Sequence, residues 1–197
     1  MKDAILVDVD LTFVDSGTPW FQWLEDVYGV APDMSKGPGN GQTHYNLGKY
    51  FPAPLVEQIS PHDYWEDMFL YDRLKPLPGA VHALKTLKEA GYPIRFVSHC
   101  KKGHFSSKAR MVKRETSHFL DIEKGSTGDG FYATKVKSGV SGRVIIDDRN
   151  EFLNQFGDDV IKVKFKTPYT QFEEPSVKYD FESDNWDEIL QFLLDTL

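Results

Sequence analysis

Four carboxylates stand where two apolar runs end. Residues 5–16 read ILVDVDLTFVDS, so Asp8 and Asp10 follow an aliphatic stretch two residues apart. Residues 143–149 read RVIIDDR and end on Asp147 and Asp148 before Arg149. A lone Asp at a strand end is commonly a turn or cap residue. Four acids converging in a low-dielectric site repel one another, and a cation relieves that cost. Hard oxygen donors in this number favour Mg²⁺, which bridges carboxylate and phosphate. Two further runs end on other polar groups. Ser98 follows IRFV, and the loop TKVKS at 134–138 carries Lys135 and Lys137. A hydroxyl and an ammonium suit phosphoryl oxygens, so the chemistry suggested is phosphoryl transfer.

For these residues to meet, their runs must be neighbouring strands of one sheet. The segment 4–9 reads as a buried central strand, 143–147 as another buried strand, 92–98 and 160–165 as strands and 131–134 as a short one. Helices are expected between them at 80–91, 105–117 and 149–156, with NWDEILQFLLDTL closing the chain. A loop is expected over 118–130. Strands alternating with helices predict an α/β fold: a Rossmann-like parallel sheet sandwiched by helices, with its ligands beyond the carboxyl ends of the strands.

One stretch does not alternate. Thr18-Pro19 offers an N-cap and first turn, WFQWLEDVY a helix and Gly29 a stop. Residues 31–49 read as loop, and 54–60 and 62–71 as short helices. The expected division is a catalytic core of 1–16 and 76–197, with 17–75 a small helical cap inserted after the first strand.

Composition bounds the setting. The 197 residues suit one domain with an insertion, and 40% of them are apolar. Cys100 is the one cysteine, so no disulfide framework exists within the chain. No signal peptide or membrane span is visible, and a cytoplasmic setting is the simplest expectation. The net charge of −7 argues against a stable complex with nucleic acid, while a local lysine or bound cation still admits a small anion.

His99-Cys100-Lys101-Lys102-Gly103 has the start of a cysteine phosphatase loop. The arginine that would clamp the phosphate is missing: Ser106 holds its place, and Arg110 lies too far along. A thiolate mechanism is therefore set aside, with Cys100 read as a small residue beside the strand end.

The motifs resemble those of the haloacid dehalogenase superfamily. DVDLT at 8–12 matches its Asp-x-Asp-x-Thr motif, Ser98 its second motif and IIDD at 145–148 its fourth. Within the superfamily the chain is similar to the 5′(3′)-deoxyribonucleotidases. It shares their Pro-x-Pro-Gly-Ala run at 76–80 and their Thr-x-x-Lys-Ser segment at 134–138 ahead of Ile-Asp-Asp-Arg. The resemblance selects Lys137 over Lys135. Leu11 stands where these relatives usually have Gly, and Ser98-His99-Cys100 where they often have Thr-Ser-Pro.

The resemblance implies the following roles. Asp8 is the nucleophile and forms an aspartyl-phosphate. Asp10 is the general acid and base, and also binds Mg²⁺ through its backbone carbonyl. Thr12 orients Asp10. Ser98 and Lys137 hold the phosphoryl group, assisted by the His99 backbone, and Lys108 lies nearest the phosphate among the basic residues that follow. Asp8, Asp10, Asp147 and Asp148 form the metal site, with Asp148 the direct ligand of the last pair. The substrate implied is a deoxyribonucleoside monophosphate, its base facing aromatics of the cap among Trp20, Phe21, Trp23, Tyr45, Phe51, Tyr64, Trp65 and Phe69, although helical spacing also suits most of these to the cap's own core. A homodimer is compatible with this reading. Two alternatives stay open: a polynucleotide 3′-phosphatase, and a catalytically silent phosphate-binding or assembly module on the same fold.

Overall fold

The computed structural model describes residues 3–122 and 128–197. The chain runs β1 (Ile5–Val7), α1 (Gly17–Tyr28), α2 (Ala53–Gln58), α3 (Ala80–Glu89), β2 (Ile94–Ser98), α4 (Phe105–Thr116), β3 (Gly130–Ala133), β4 (Val144–Asp147), α5 (Asn150–Leu153), β5 (Ile161–Phe165), β6 (Phe181–Ser183) and α6 (Trp186–Thr196). Among the described residues the six strands form one sheet in the order β3-β2-β1-β4-β5-β6, and each neighbouring pair is parallel. This is the expected Rossmann-like α/β fold.

The order reverses at β1, which lies between β2 and β4. A crevice opens beyond the carboxyl ends of strands at such a point. Register holds β1 there: Ile5, Leu6 and Val7 face Ile94, Arg95 and Phe96 on one side and Val144, Ile145 and Ile146 on the other. All three β1 residues are fully buried. Alternation sends Ile5 and Val7 into the larger core with Phe96, Leu84 and Trp186, and Leu6 into a smaller one with Val97, Ile145 and Phe156. Burying each such aliphatic side chain contributes about 2 kcal/mol.

The 17–75 stretch supplies α1, α2 and short 3-10 turns at Met34–Lys36, Leu47–Tyr50, Asp63–Glu66 and Leu70–Asp72. Its two ends are joined, because Val14 bridges Pro76 and Leu77 N–H donates to the Phe13 carbonyl at 2.8 Å. α1 begins at Gly17 rather than at Thr18-Pro19. Asp15 Oδ1 accepts from both Gly17 N–H and Thr18 N–H, so Asp15 takes the capping role expected of Thr18. Gly29 closes the helix in the left-handed region, at φ 67°.

Other differences are local. The helix expected over 62–71 is two separate turns, because Asp67 accepts from Phe69 N–H and restarts the chain. The helix expected over 149–156 is the shorter α5. β6 falls outside the expected strands: its three residues, Phe-Glu-Ser, are too few to show a period, and pairing with β5 makes them a strand. Of the loop expected over 118–130, residues 123–127 lie outside the described residues. Among the described residues no helix is long and apolar enough to cross a membrane.

Candidate active site

The acids gather at the reversal point. Asp8 and Asp10 follow β1, Ser98 ends β2, and Asp147 ends β4 beside Asp148. Lys137 sits in a 3-10 turn between β3 and β4, fully buried over the Phe152 ring. Its Nζ is 2.7 Å from Asp8 Oδ1 as an ion pair and 2.6 Å from Asp147 Oδ2. Burial works against the ammonium, but Asp147 and Asp8 overcome it and hold its pKa above the ordinary lysine range.

Asp8, Asp147 and Asp148 can bring one carboxylate oxygen each within 4.8 Å of one another, and all three are buried. Burial pushes the Asp147 pKa up to about 7, with Asp8 adding repulsion and Lys137 opposing it. Burial and the charges of Asp147 and Asp8 push Asp148 well above the carboxylate range. The pair differ in free valence. Asp147 uses Oδ2 on Lys137 and Oδ1 on the Arg149 N–H at 3.0 Å. Asp148 Oδ1 accepts a long bond of 3.4 Å from Thr12, while its buried Oδ2 has no partner among the described residues. An orphaned buried oxygen among three acids fits a divalent cation.

Asp10 lies in a second cluster. Lys108 Nζ donates to Asp10 Oδ2 at 2.5 Å, to Ser98 Oγ at 3.0 Å and to the His99 carbonyl at 3.0 Å. Tyr71 donates its hydroxyl to Asp10 Oδ1 at 2.5 Å. Burial raises the Asp10 pKa, but the Lys108 charge and hydrogen bond, joined by Tyr71, bring it below the carboxylate range.

Thr12 and Lys108 make the following contacts. Thr12 meets Asp148 rather than Asp10, because its side chain points toward β4 and its carbonyl accepts from Trp186 Nε1–H. Lys108 sits against Ser98, with its ammonium on Asp10 Oδ2, Ser98 Oγ and the His99 carbonyl. Both are fully buried and outside the cavity lining. Asp8, Asp10, Ser98, His99 and Asp148 do line the cavity.

Aromatic rings also line it: Trp20, Tyr45 and Trp65 from the 17–75 stretch, and Tyr169. Trp20 also belongs to that stretch's own core, donating Nε1–H to the Pro61 carbonyl and stacking on Tyr64. Phe69 is 58% exposed and Phe21 packs on Tyr50 and Phe51; neither lines the cavity.

Leu11 has φ 58°, a left-handed backbone that glycine adopts without strain. Its side chain is 8% exposed and lines the cavity. Cys100 is half-buried, and desolvation pushes its thiol up to about 11, away from thiolate chemistry.

Sequence reasoning missed a support from the β5–β6 connection. Buried Lys164 donates to the Asp148 carbonyl, to Asn150 Oδ1 at 2.8 Å and to the Thr170 carbonyl at 3.4 Å. Glu173 accepts from Arg149 Nε–H and from Asn150 N–H. Arg149 also stacks on Tyr45 at 4.2 Å. The available signal was two lysines, 162 and 164, inside an otherwise apolar strand.

A family model described as "5′ nucleotidase, deoxy (Pyrimidine), cytosolic type C protein" matches residues 4–196. The chain belongs to this nucleotidase family. Its members' chemistry makes it a hydrolase of phosphoric monoesters, and phosphatases of this fold generally use a divalent metal. No curated protein matches it in sequence. Solved structures share the fold. A hydrolase of the haloacid dehalogenase family from Deinococcus radiodurans R1, with bound phosphate and sodium, is 16% identical with TM-score 0.59, over 98% of this chain and 96% of that one. CbbY from Rhodobacter sphaeroides, in complex with phosphate, is 14% identical with TM-score 0.58, over 96% of each chain. A superfamily hydrolase from Ehrlichia chaffeensis is 14% identical with TM-score 0.54, over 99% and 98%.

Proposed function

We propose that this nucleotidase-family chain is a Mg²⁺-dependent phosphomonoesterase acting on a small nucleotide, a deoxyribonucleoside monophosphate by preference. The observation that carries the reading is Asp8 held by Lys137 beside the free Oδ2 of Asp148, at a cavity that aromatic rings also line. Asp8, Asp148 and the Asp10 backbone carbonyl would hold the ion, with Asp147 bracing the site through Lys137 and the Arg149 N–H. Bound there, a divalent cation would offset the carboxylate charge and let a phosphate dianion approach.

The chain's own residues then divide the work. An Asp8 oxygen attacks phosphorus, and the bond from phosphorus to the leaving oxygen breaks. The charge of the approaching dianion raises the Asp10 pKa, so that Asp10 takes up a proton and donates it to that oxygen, which departs as the alcohol of a nucleoside. Asp10 next accepts a proton from water as the water attacks the aspartyl-phosphate, releasing phosphate and restoring Asp8. Ser98 and Lys137 steady the phosphoryl oxygens. The 17–75 stretch serves as a cap over this cavity, and the core is 1–16 with 76–197. Trp20, Tyr45, Trp65 and Tyr169 offer flat faces for a base.

Phosphate release from nucleoside monophosphates, sugar phosphates and 3′-phosphorylated oligonucleotides, with Mg²⁺ or with chelator, tests the reading. Release from the mononucleotides, dependent on Mg²⁺ and abolished in Asp8→Asn, is expected. Equal release by wild type and Asp8→Asn sinks it, and preference for the oligonucleotides transfers the substrate to nucleic acid ends.

A further inference from the structure

We propose that Tyr71 is a positioning residue for the proton-transfer step, orienting the Asp10 carboxylate through its hydroxyl. The inference rests on the assignment of Asp10 as general acid. A carboxylate turns easily about its Cβ–Cγ bond, because that torsion has broad wells. One contact at Oδ2, from Lys108, fixes the position of one oxygen and leaves the plane of the group undefined. The Tyr71 hydroxyl at Oδ1, 2.5 Å away, supplies the second point and sets the plane.

The tyrosine is itself well held. It lies in the turn Leu70–Asp72, fully buried, with its ring 4.8 Å from Lys108 Nζ and against the His104 ring. α4 pins the turn from outside: Arg110 donates twice to the Asp72 carboxylate, and Arg114 to the carbonyls of Asp72 at 3.1 Å and Leu74 at 2.8 Å. Burial and the Asp10 charge push the Tyr71 hydroxyl well above its ordinary range, so it remains a donor. Its ring is not part of the cavity lining, so contact with substrate does not explain the hydroxyl.

In the first step, transfer of the phosphoryl group to Asp8, orientation matters only when the leaving oxygen needs a proton. An alkoxide leaving from a nucleotide or sugar phosphate needs one, and p-nitrophenolate does not. The second step uses Asp10 as a base for either substrate, so the first step is read alone, as single-turnover release of the leaving group. Tyr71→Phe keeps the buried ring and removes only the hydroxyl. For a nucleoside monophosphate its single-turnover release of nucleoside should slow about 10- to 100-fold, part of the 10²–10⁴ that a positioned acid contributes. KM should stay within about twofold, since no substrate contact is removed. For p-nitrophenyl phosphate the single-turnover release of p-nitrophenolate should change by less than about threefold, for want of an acid-dependent departure. A thermal unfolding curve records that Tyr71→Phe is folded. Equal losses in the two first-step rates, or no loss on the nucleotide, overturn the proposal. Asp10→Asn is run beside it and should show the same selectivity more strongly. If it does not, the reading of Asp10 as the acid fails, and the role of Tyr71 fails with it.

Discussion

The His104 ring joins the carbonyl of Trp65 at 2.9 Å, tying α4's start to the 17–75 stretch. A carbonyl only accepts, so Nδ1 carries the proton, and Nε2 accepts the Lys101 N–H at 3.0 Å. Protonation would break the second bond. Burial, with the Lys108 charge, pushes the His104 pKa down to about 4. An unfolded histidine titrates near ~6.5. Between these values the unfolded chain binds a proton that the folded chain refuses, so stability falls as pH drops from about 6.5 toward 4. Urea midpoints across that window should decline more steeply for wild type than for His104→Gln. Parallel slopes would remove His104 from the account.

Lys137 balances two buried acids with one charge. Lys137→Met should cost about 3 kcal/mol at neutral pH, because it strands Asp8 and Asp147 without a counter-ion. Mg²⁺ should raise the Tm of the variant more than that of wild type, since a competing cation has been removed from the site. A variant that matches wild type in metal-free buffer contradicts this balance.

Leu11 combines a strained backbone with a buried side chain. Leu11→Gly relieves about 1 kcal/mol of left-handed strain. It gives up about 2 kcal/mol of burial and adds about 1 kcal/mol of chain entropy. The net expectation is a loss of about 2 kcal/mol by urea unfolding. A stabilised variant would mean that the strain outweighs the packing.

Cys100 should be a bystander. With its thiol near 11, little thiolate exists at pH 8, and iodoacetamide should label it far more slowly than free cysteine. Cys100→Ser should keep most phosphatase activity; near-total loss would return the thiol to the mechanism.

The acids were legible because a strand end is a local event. An apolar run marks β1 and β4, and Asp8, Asp147 and Asp148 sit directly on their ends. Ser98 and Lys137 were legible through motif resemblance. Tyr71 was not, since it meets Asp10 across 61 positions of sequence and looks like any core aromatic. The Thr12 contact with Asp148 was not legible either: motif spacing places a hydroxyl near an acid without saying which acid it faces. Lys164 and Glu173 act through a connection whose strand, β6, is too short to announce itself. Leu11 was visible as a departure, and its φ explains why glycine suits that position.

The 17–75 stretch is fastened to the rest of the chain by different contacts at its two margins. On one side His104 grips Trp65, Lys101 pairs with Glu66, and Arg110 and Arg114 hold the turn at Asp72. On the other, Thr43 bonds Pro168, its N–H at 2.7 Å and its hydroxyl at 3.3 Å on one carbonyl, Thr18 hydrogen-bonds Tyr169, and Arg149 stacks on nearby Tyr45. Ion pairs therefore load the first margin and uncharged bonds the second, so added salt should weaken the two margins unequally.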